Sequence, residues 1–338
     1  LAGDTKKEHY VPQVYLRRFC SSPDKVNVYD KINNEIRINQ PLINVASERY
    51  FYDVDLFAYN EELKARGEAT LDELFPGFEK TDPQYIEHMF GNGIEGAYEQ
   101  KIGIVIDDLL KKGDWWLNNC YAITQEEKVF FALWAAHQFV RTKSFRETVS
   151  KINQAAAQAV TEFANRDVPE DEKVIASVRT DKIAKQALHA DMIMNTKTIA
   201  HFAEIMFLHS WIITVNKSKS PFVTSDNPIT TIPHDFSHGF AGSGIASPKV
   251  EIFFPLSPYI GIMMFEKQHG FEKYDCRSVI CSDPETIMQY NYATLSNAHR
   301  LIVANTTDLT IYQEYVKLHP EIKENKLSLY IGGKTFLF

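Results

Sequence analysis

Pro221-Phe222-Val223-Thr224-Ser225-Asp226-Asn227-Pro228-Ile229 carries an apolar, strand-forming run into four polar or turn-forming residues and back to apolar character. Asn227 precedes a proline, which pushes its backbone towards the extended region. The Ser, Asp and Asn side chains can each bond nearby main-chain groups and fix a tight turn. The stretch predicts a core strand whose end displays a hydroxyl, a carboxylate and an amide together. Two readings follow. Ser225, Asp226 and Asn227 contact a substrate, or Asp226 does no more than hold the Asn227-Pro228 turn in shape.

Strands are also expected at residues 211–215, 250–254, 260–265 and 301–303, with helices at 283–297 and 308–318. A Gly/Ser/His-rich loop fills 234–247, long enough to act as a lid. The part before it, about 83–208, reads as helical. Thr124-Gln125-Glu126-Glu127 is a capping box that opens the strongest helix. Its stripe holds Phe131, Trp134, Gln138, Arg141 and Phe145 at spacings of three or four. A guanidinium on an aromatic stripe points inward, where an unpaired charge is costly. Arg141 therefore needs an anionic partner: Asp226, Glu48 or a bound phosphate, whose oxygens match the planar fork of Arg.

At the other end, Glu8-His9-Tyr10-Val11-Pro12-Gln13-Val14-Tyr15-Leu16-Arg17-Arg18-Phe19 starts a helix near Pro12 and leaves His9 just outside its N-terminus. The partial positive charge there favours a neutral imidazole, free to accept or to ligate. Val26 to Asp30 and Glu35 to Ile38 alternate about Asn33-Asn34 as a hairpin, and residues 49–54 read as a strand. Glu48 is either a surface charge or a carboxylate facing the same cleft as His9.

The chain has 338 residues and a formal net charge of −8, which argues against a broad nucleic-acid or membrane-surface footprint. A local phosphate or nucleotide site is compatible with that charge. Cys20, Cys120, Cys276 and Cys281 are too scattered for a disulfide framework or a zinc motif, so reduced thiols and a cytoplasmic location are expected. No apolar run reaches membrane-spanning length. The opening Leu1-Ala2-Gly3-Asp4 lacks an initiator Met and a signal-peptide pattern, as expected of a cut or renumbered start. Phosphate-loop, dinucleotide, His-Glu-x-x-His and Gly-x-Ser-x-Gly motifs are absent.

His9-Tyr10-Val11-Pro12-Gln13 with Tyr15-Leu16 and Arg18-Phe19, Gln138-x-x-Arg141-Thr142, the Pro221 to Pro228 stretch, and Phe254-Pro255-Leu256-Ser257-Pro258 occur in this order. Together they resemble the domain-of-unknown-function family 4238, found mainly in bacteria and fungi. The resemblance spans about Lys7 to Asn305. It implies one continuous domain over 1–338 and groups His9, Gln138, Arg141 and Asp226 as a set.

The expected fold is α+β: a helical layer (about 83–208) packed on a mostly antiparallel sheet from the C-terminal half (209–338), with an N-terminal hairpin region (1–60) closing one side. The expected function is a hydrolase or phosphodiesterase, nuclease-like in its use of a phosphate-containing substrate. Asp226 would be general base or metal ligand, and His9 general acid/base or ligand. Arg141 and Gln138 would hold the phosphate, with Ser225, Asn227 and Glu48 binding substrate. Mg²⁺ or Mn²⁺ would suit such oxygen ligands. The alternative is a non-catalytic binding or interaction protein in which these residues form a buried structural network.

Overall fold

The structure, a computed structural model, describes residues 7–53, 56–67, 69–74, 84–169, 172–174, 181–234, 244–324, 328–331 and 334–337. Most of the expected 234–247 loop therefore lies outside the described residues. The chain opens with β1 (Lys7–His9) and one helical turn, α1 (Gln13–Leu16). The hairpin β2 (Lys25–Asp30) and β3 (Glu35–Pro41) follows, then β4 (Ser47–Arg49), which pairs antiparallel with β1. The helical part comprises α2 (Leu56–Arg66), α3 (Leu71–Leu74), α4 (Tyr85–Met89), α5 (Ile104–Lys111), α6 (Asp114–Asn119), α7 (Gln125–Val140), α8 (Lys143–Ala164), α9 (Lys182–Met194) and α10 (Thr196–Leu208). Next come β5 (Ser210–Asn216), β6 (Thr224–Ser225), β7 (Thr230–Pro233), β8 (Val250–Ser257), β9 (Ile260–Phe265) and β10 (Arg277–Cys281). The chain continues with α11 (Pro284–Asn297), β11 (Leu301–Ala304), α12 (Thr310–Leu318) and the hairpin β12 (Ser328–Ile331) with β13 (Lys334–Leu337).

The architecture is α+β. A five-stranded sheet runs β10-β5-β9-β8-β7, with β10 parallel to β5 and the other neighbours antiparallel. Strands β5, β8 and β9 are buried along their whole length, as near-continuous apolar runs are when both faces are covered. The sheet packs so closely at Gly261 that a Cβ there would come within 2.6 Å of the Phe253 ring. Pro255 falls where the β8–β9 register shifts, a position that tolerates a residue without N–H. Its carbonyl accepts the Tyr15 hydroxyl at 2.6 Å, tying the first motif to the last.

Several expectations change. The N-terminal hairpin does not merely close one side: it forms a second, four-stranded antiparallel sheet with C-terminal strands, in the order β3-β2-β11-β6. Of the expected 49–54 strand only Arg49 pairs; 50–53 do not, and 54 lies outside the described residues. β4 ends at Arg49, and Tyr50 takes a left-handed φ of 53° that stops sheet pairing. Pro12 is the cap of α1 rather than its first residue, with an extended ψ of 139°. Of the Pro221-to-Thr224 run only Thr224 pairs as strand, together with Ser225 after it.

The Thr124 capping box forms as expected, with the Thr124 side chain and Glu127 exchanging bonds to each other's main-chain N–H. The helix it opens ends at Arg141. Thr142 then caps a new helix by accepting the Phe145 N–H at 3.2 Å, so Phe145 lies on α8 and not on α7. Near Gly91 and Gly93 the helix after α4 loosens into π-helical turns at Phe90–Glu95 and Tyr98–Gly103. Among the described residues no helix is long and apolar enough to cross a membrane.

Candidate functional site

The C-terminal end of α7 meets β1 and the segment after β4. Arg141 is buried there, and its fork is almost fully used. Nη2 donates to the His9 carbonyl at 2.6 Å, Nη1 and Nη2 donate to Glu95 at 3.2 Å, and Nε donates to the Tyr52 hydroxyl at 3.3 Å. The guanidinium carbon lies 4.0 Å from the centroid of the Phe90 ring. Tyr52 in turn donates to the Arg141 carbonyl at 3.2 Å. The segment that carries Tyr52 is gripped from behind by Arg146, which donates to the Phe51 carbonyl at 3.0 Å, and by Gln186, which donates to that of Tyr50 at 2.8 Å.

The expected pairing of Arg141 with Asp226 does not form. Inward-pointing geometry called for an anion, and Glu95 supplies it from a π-helical turn that sequence periodicity alone would not aim. Asp226 is fully buried elsewhere. Its Oδ1 accepts the main-chain N–H of His299 at 2.9 Å and its Oδ2 that of Arg300 at 2.9 Å, while its own N–H donates to the Leu301 carbonyl. Burial raises its pKa to about 6, against the pull of those N–H groups and of Lys31.

Ser225 and Asn227 complete that joint. The Ser225 hydroxyl accepts the Asn227 N–H at 3.0 Å and donates to the Asn227 carbonyl at 2.8 Å. The Asn227 amide donates to the Asn297 carbonyl at 2.9 Å and accepts from the Thr142 hydroxyl at 3.4 Å. The turn thus grips residues 297–301 more than it shapes itself. Glu48 pairs with Lys143 at 2.9 Å, half-exposed. His9 and Arg141 are therefore brought together with Gln138 one turn away, while Asp226, Ser225 and Asn227 belong to a neighbouring network joined through Thr142.

Around Arg141 gather groups that the sequence reading does not select: Glu8, Glu87, Glu95 and His137. Glu8 accepts the Tyr52 N–H at 2.7 Å and faces the Asp53 carboxyl. Burial, reinforced by Asp53, pushes Glu8 up to about 8. Burial likewise raises Glu87 to about 7; Arg141 opposes the shift while Glu95 and Asp53 add to it. His137 and His9 are both lowered to about 4, by burial first and then by the Arg141 charge, so both are neutral at physiological pH. His9 is neutral as expected, but burial is the main cause rather than a helix terminus.

Several buried hydrogen-bonding atoms in this region have no partner among the described residues. They are Nε2 of His9, Oε2 of Glu87, Nε1 of Trp134, Nδ1 of His137 and both amide atoms of Gln138. Trp134, His137 and Gln138 share one face of α7 with Arg141. Buried polar atoms are normally satisfied, so such a concentration makes this joint the candidate site of the described residues. Sequence offered one signal for it: His137 stands one helical turn before Arg141. By contrast, an open groove of about 270 Å³ at the other end of α7, lined by Lys101, Ile104, Glu127 and Phe130, contains none of these atoms. Among the described residues, no three of His, Cys, Asp and Glu lie together closely enough to hold a metal ion.

The fold and this joint define an α+β protein whose helical and strand parts meet around a buried, arginine-centred acid cluster. The chain belongs to the family described as protein of unknown function (DUF4238), whose model matches residues 7–308. No curated protein and no solved structure matches it.

Proposed function

We propose that the chain is a hydrolase working by general acid–base catalysis at the cluster around Arg141, on a substrate whose reacting part is uncharged or cationic. The observation that carries this reading is the set of unpaired atoms on Glu87, His137 and Gln138 beside carboxyls of divergent protonation. A carboxyl raised to about 7, as Glu87 is, carries a proton it can give near neutral pH. Neutral His137 has a bare or protonated Nδ1 ready to accept or donate, and the Gln138 amide can orient a polar substrate group. The guanidinium that would hold a phosphate is already engaged by Glu95, Tyr52 and the His9 carbonyl, so the phosphodiesterase reading gives way to ester, amide or glycoside hydrolysis.

In this reading Arg141 and Asp226 are positioning residues, one tying β1 to Tyr52 and Glu95 and the other fixing the 299–301 turn. Residues 1–338 are taken as one domain because the four-stranded sheet joins β2 and β3 to β6 and β11. Four free cysteines favour a reducing cytoplasmic setting. The test is turnover of p-nitrophenyl esters, p-nitrophenyl glycosides and peptide p-nitroanilides, with bis(p-nitrophenyl) phosphate alongside. The expected result is turnover of an uncharged probe that falls at least about a hundredfold in Glu87→Gln with the fold retained. Turnover of the phosphate probe alone, or turnover indifferent to Glu87→Gln, overturns it. No turnover of any probe returns the cluster to a non-catalytic, structural role.

A further inference from the structure

At the rim of the five-stranded sheet, outside the Arg141 cluster, two histidines stand side by side. His234 follows the end of β7, and His269 lies in the 3₁₀ turn Lys267–His269 after β9. Their ring centroids are 5.1 Å apart and their planes nearly perpendicular, at 85°. Nε2 of His234 meets a carboxylate oxygen of Glu251 at 2.8 Å, and Nε2 of His269 meets the Lys249 carbonyl at 3.0 Å. A carbonyl only accepts, so Nε2 of His269 carries the proton. Glu251 also accepts the Tyr290 hydroxyl at 2.5 Å, and its oxygens act as acceptors on both sides. Nε2 of His234 is therefore the donor as well. In their neutral forms both rings present a bare Nδ1.

We propose that His234 and His269 form a two-imidazole site for a first-row divalent transition ion, Zn²⁺ foremost. Fixing a ligating imidazole by giving its remote N–H to a carboxylate or a backbone carbonyl is the usual outer-shell arrangement of metal-bound histidine, and both rings have it. The spacing fits too. With Zn–N of about 2.0–2.1 Å and near-tetrahedral angles, two ligating imidazoles have centroids about 5 Å apart. Both rings are also held in place: Glu251 is itself buried and anchored by Tyr290, and His269 stacks on Phe271 with planes 11° apart. Imidazole selects Zn²⁺, Ni²⁺ or Cu²⁺ over Mg²⁺ and Ca²⁺. Among the described residues no third His, Cys, Asp or Glu completes the set, which leaves the other positions to water or to an incoming ligand.

The experiment titrates the chelator-treated full chain with ZnCl₂ by calorimetry, with MgCl₂ as competitor. One Zn²⁺ per chain is expected, undisturbed by Mg²⁺, with affinity falling at least about tenfold in His234→Ala and in His269→Ala. Glu251→Gln should weaken binding by about 10–100-fold through loss of orientation. His201→Ala, which alters an exposed histidine on α10, should bind as wild type does. Absence of binding, wild-type affinity in His269→Ala, or equal weakening in His201→Ala overturns the site. Both histidine variants leave Glu251 with its Tyr290 bond, and a circular-dichroism melt confirms that they fold.

Discussion

Arg141 binds His9 through its main chain and not its ring: Nη2 reaches the His9 carbonyl at 2.6 Å, across 132 positions of sequence. Among the described residues the ring's Nε2 has no partner. One residue thus closes β1 onto the end of α7 without engaging the histidine ring. Removing it should be costly, because Glu95 would stay half-buried without its cation. Arg141→Ala should destabilise the chain by about 3–5 kcal/mol. In a double-mutant cycle with Glu95→Ala, urea unfolding should give a coupling energy of about 0.5–3 kcal/mol. Additive losses would show that the pair is not what holds this joint.

The pH dependence of stability follows from the carboxyls. Glu8 and Glu87 are raised in the folded state to about 8 and about 7. An ordinary Glu titrates near 4.3. Between those values the native chain holds more protons than the unfolded one, so stability falls as pH rises. The contribution is complete below the unfolded value and is lost as pH rises through the folded one. His9 and His137, lowered to about 4, act oppositely: their contribution is complete above about 6.5 and is lost as pH falls through about 4. Glu8 and Glu87 titrate in the window from about pH 6.5 to 8, above the range of His9 and His137. Urea midpoints of wild type should decline across it, and those of Glu8→Gln should decline less. Parallel slopes would remove Glu8 from the account.

Much of this was legible in sequence, and the failures have physical causes. The capping box at Thr124 and the burial of Phe131, Trp134, Gln138 and Arg141 follow from spacing alone, because helical periodicity is local. The partner of Arg141 is not local. It depends on how a glycine-loosened π-helical turn aims Glu95, and no period announces that. Asp226 misled for a related reason. A buried carboxylate satisfied by main-chain N–H groups of a distant turn leaves no side-chain partner to find in the sequence.

Asp226→Asn should cost about 1–3 kcal/mol, since an amide offers the His299 and Arg300 N–H groups one acceptor and one donor where both oxygens now accept. Hydrogen exchange should quicken at the His299 and Arg300 amides before it does at β8 or β9. Unchanged exchange there would return Asp226 to the list of reacting groups.

Gln138 offers the sharpest separation of stability from function. It is 1 % exposed, and among the described residues neither amide atom has a partner. Gln138→Leu keeps the volume and removes an unsatisfied polar group, so the melting temperature should hold or rise. Turnover of whichever probe the wild type accepts should fall. A lower melting temperature would mean that the amide already satisfies something in the folded chain.

The four-stranded sheet has a consequence for synthesis. Val28 and Tyr29 pair with Val303 and Ile302, so the inner edge of β2 waits for nearly three hundred residues to leave the ribosome before it is covered. Until then the nascent chain exposes a strand edge bearing Val26, Val28 and Tyr29, the kind of surface that recruits other chains. Closure is slow in such long-range pairing. A stalled or truncated product ending before Leu301 would carry that edge permanently, and for this protein incomplete synthesis and aggregation are one hazard.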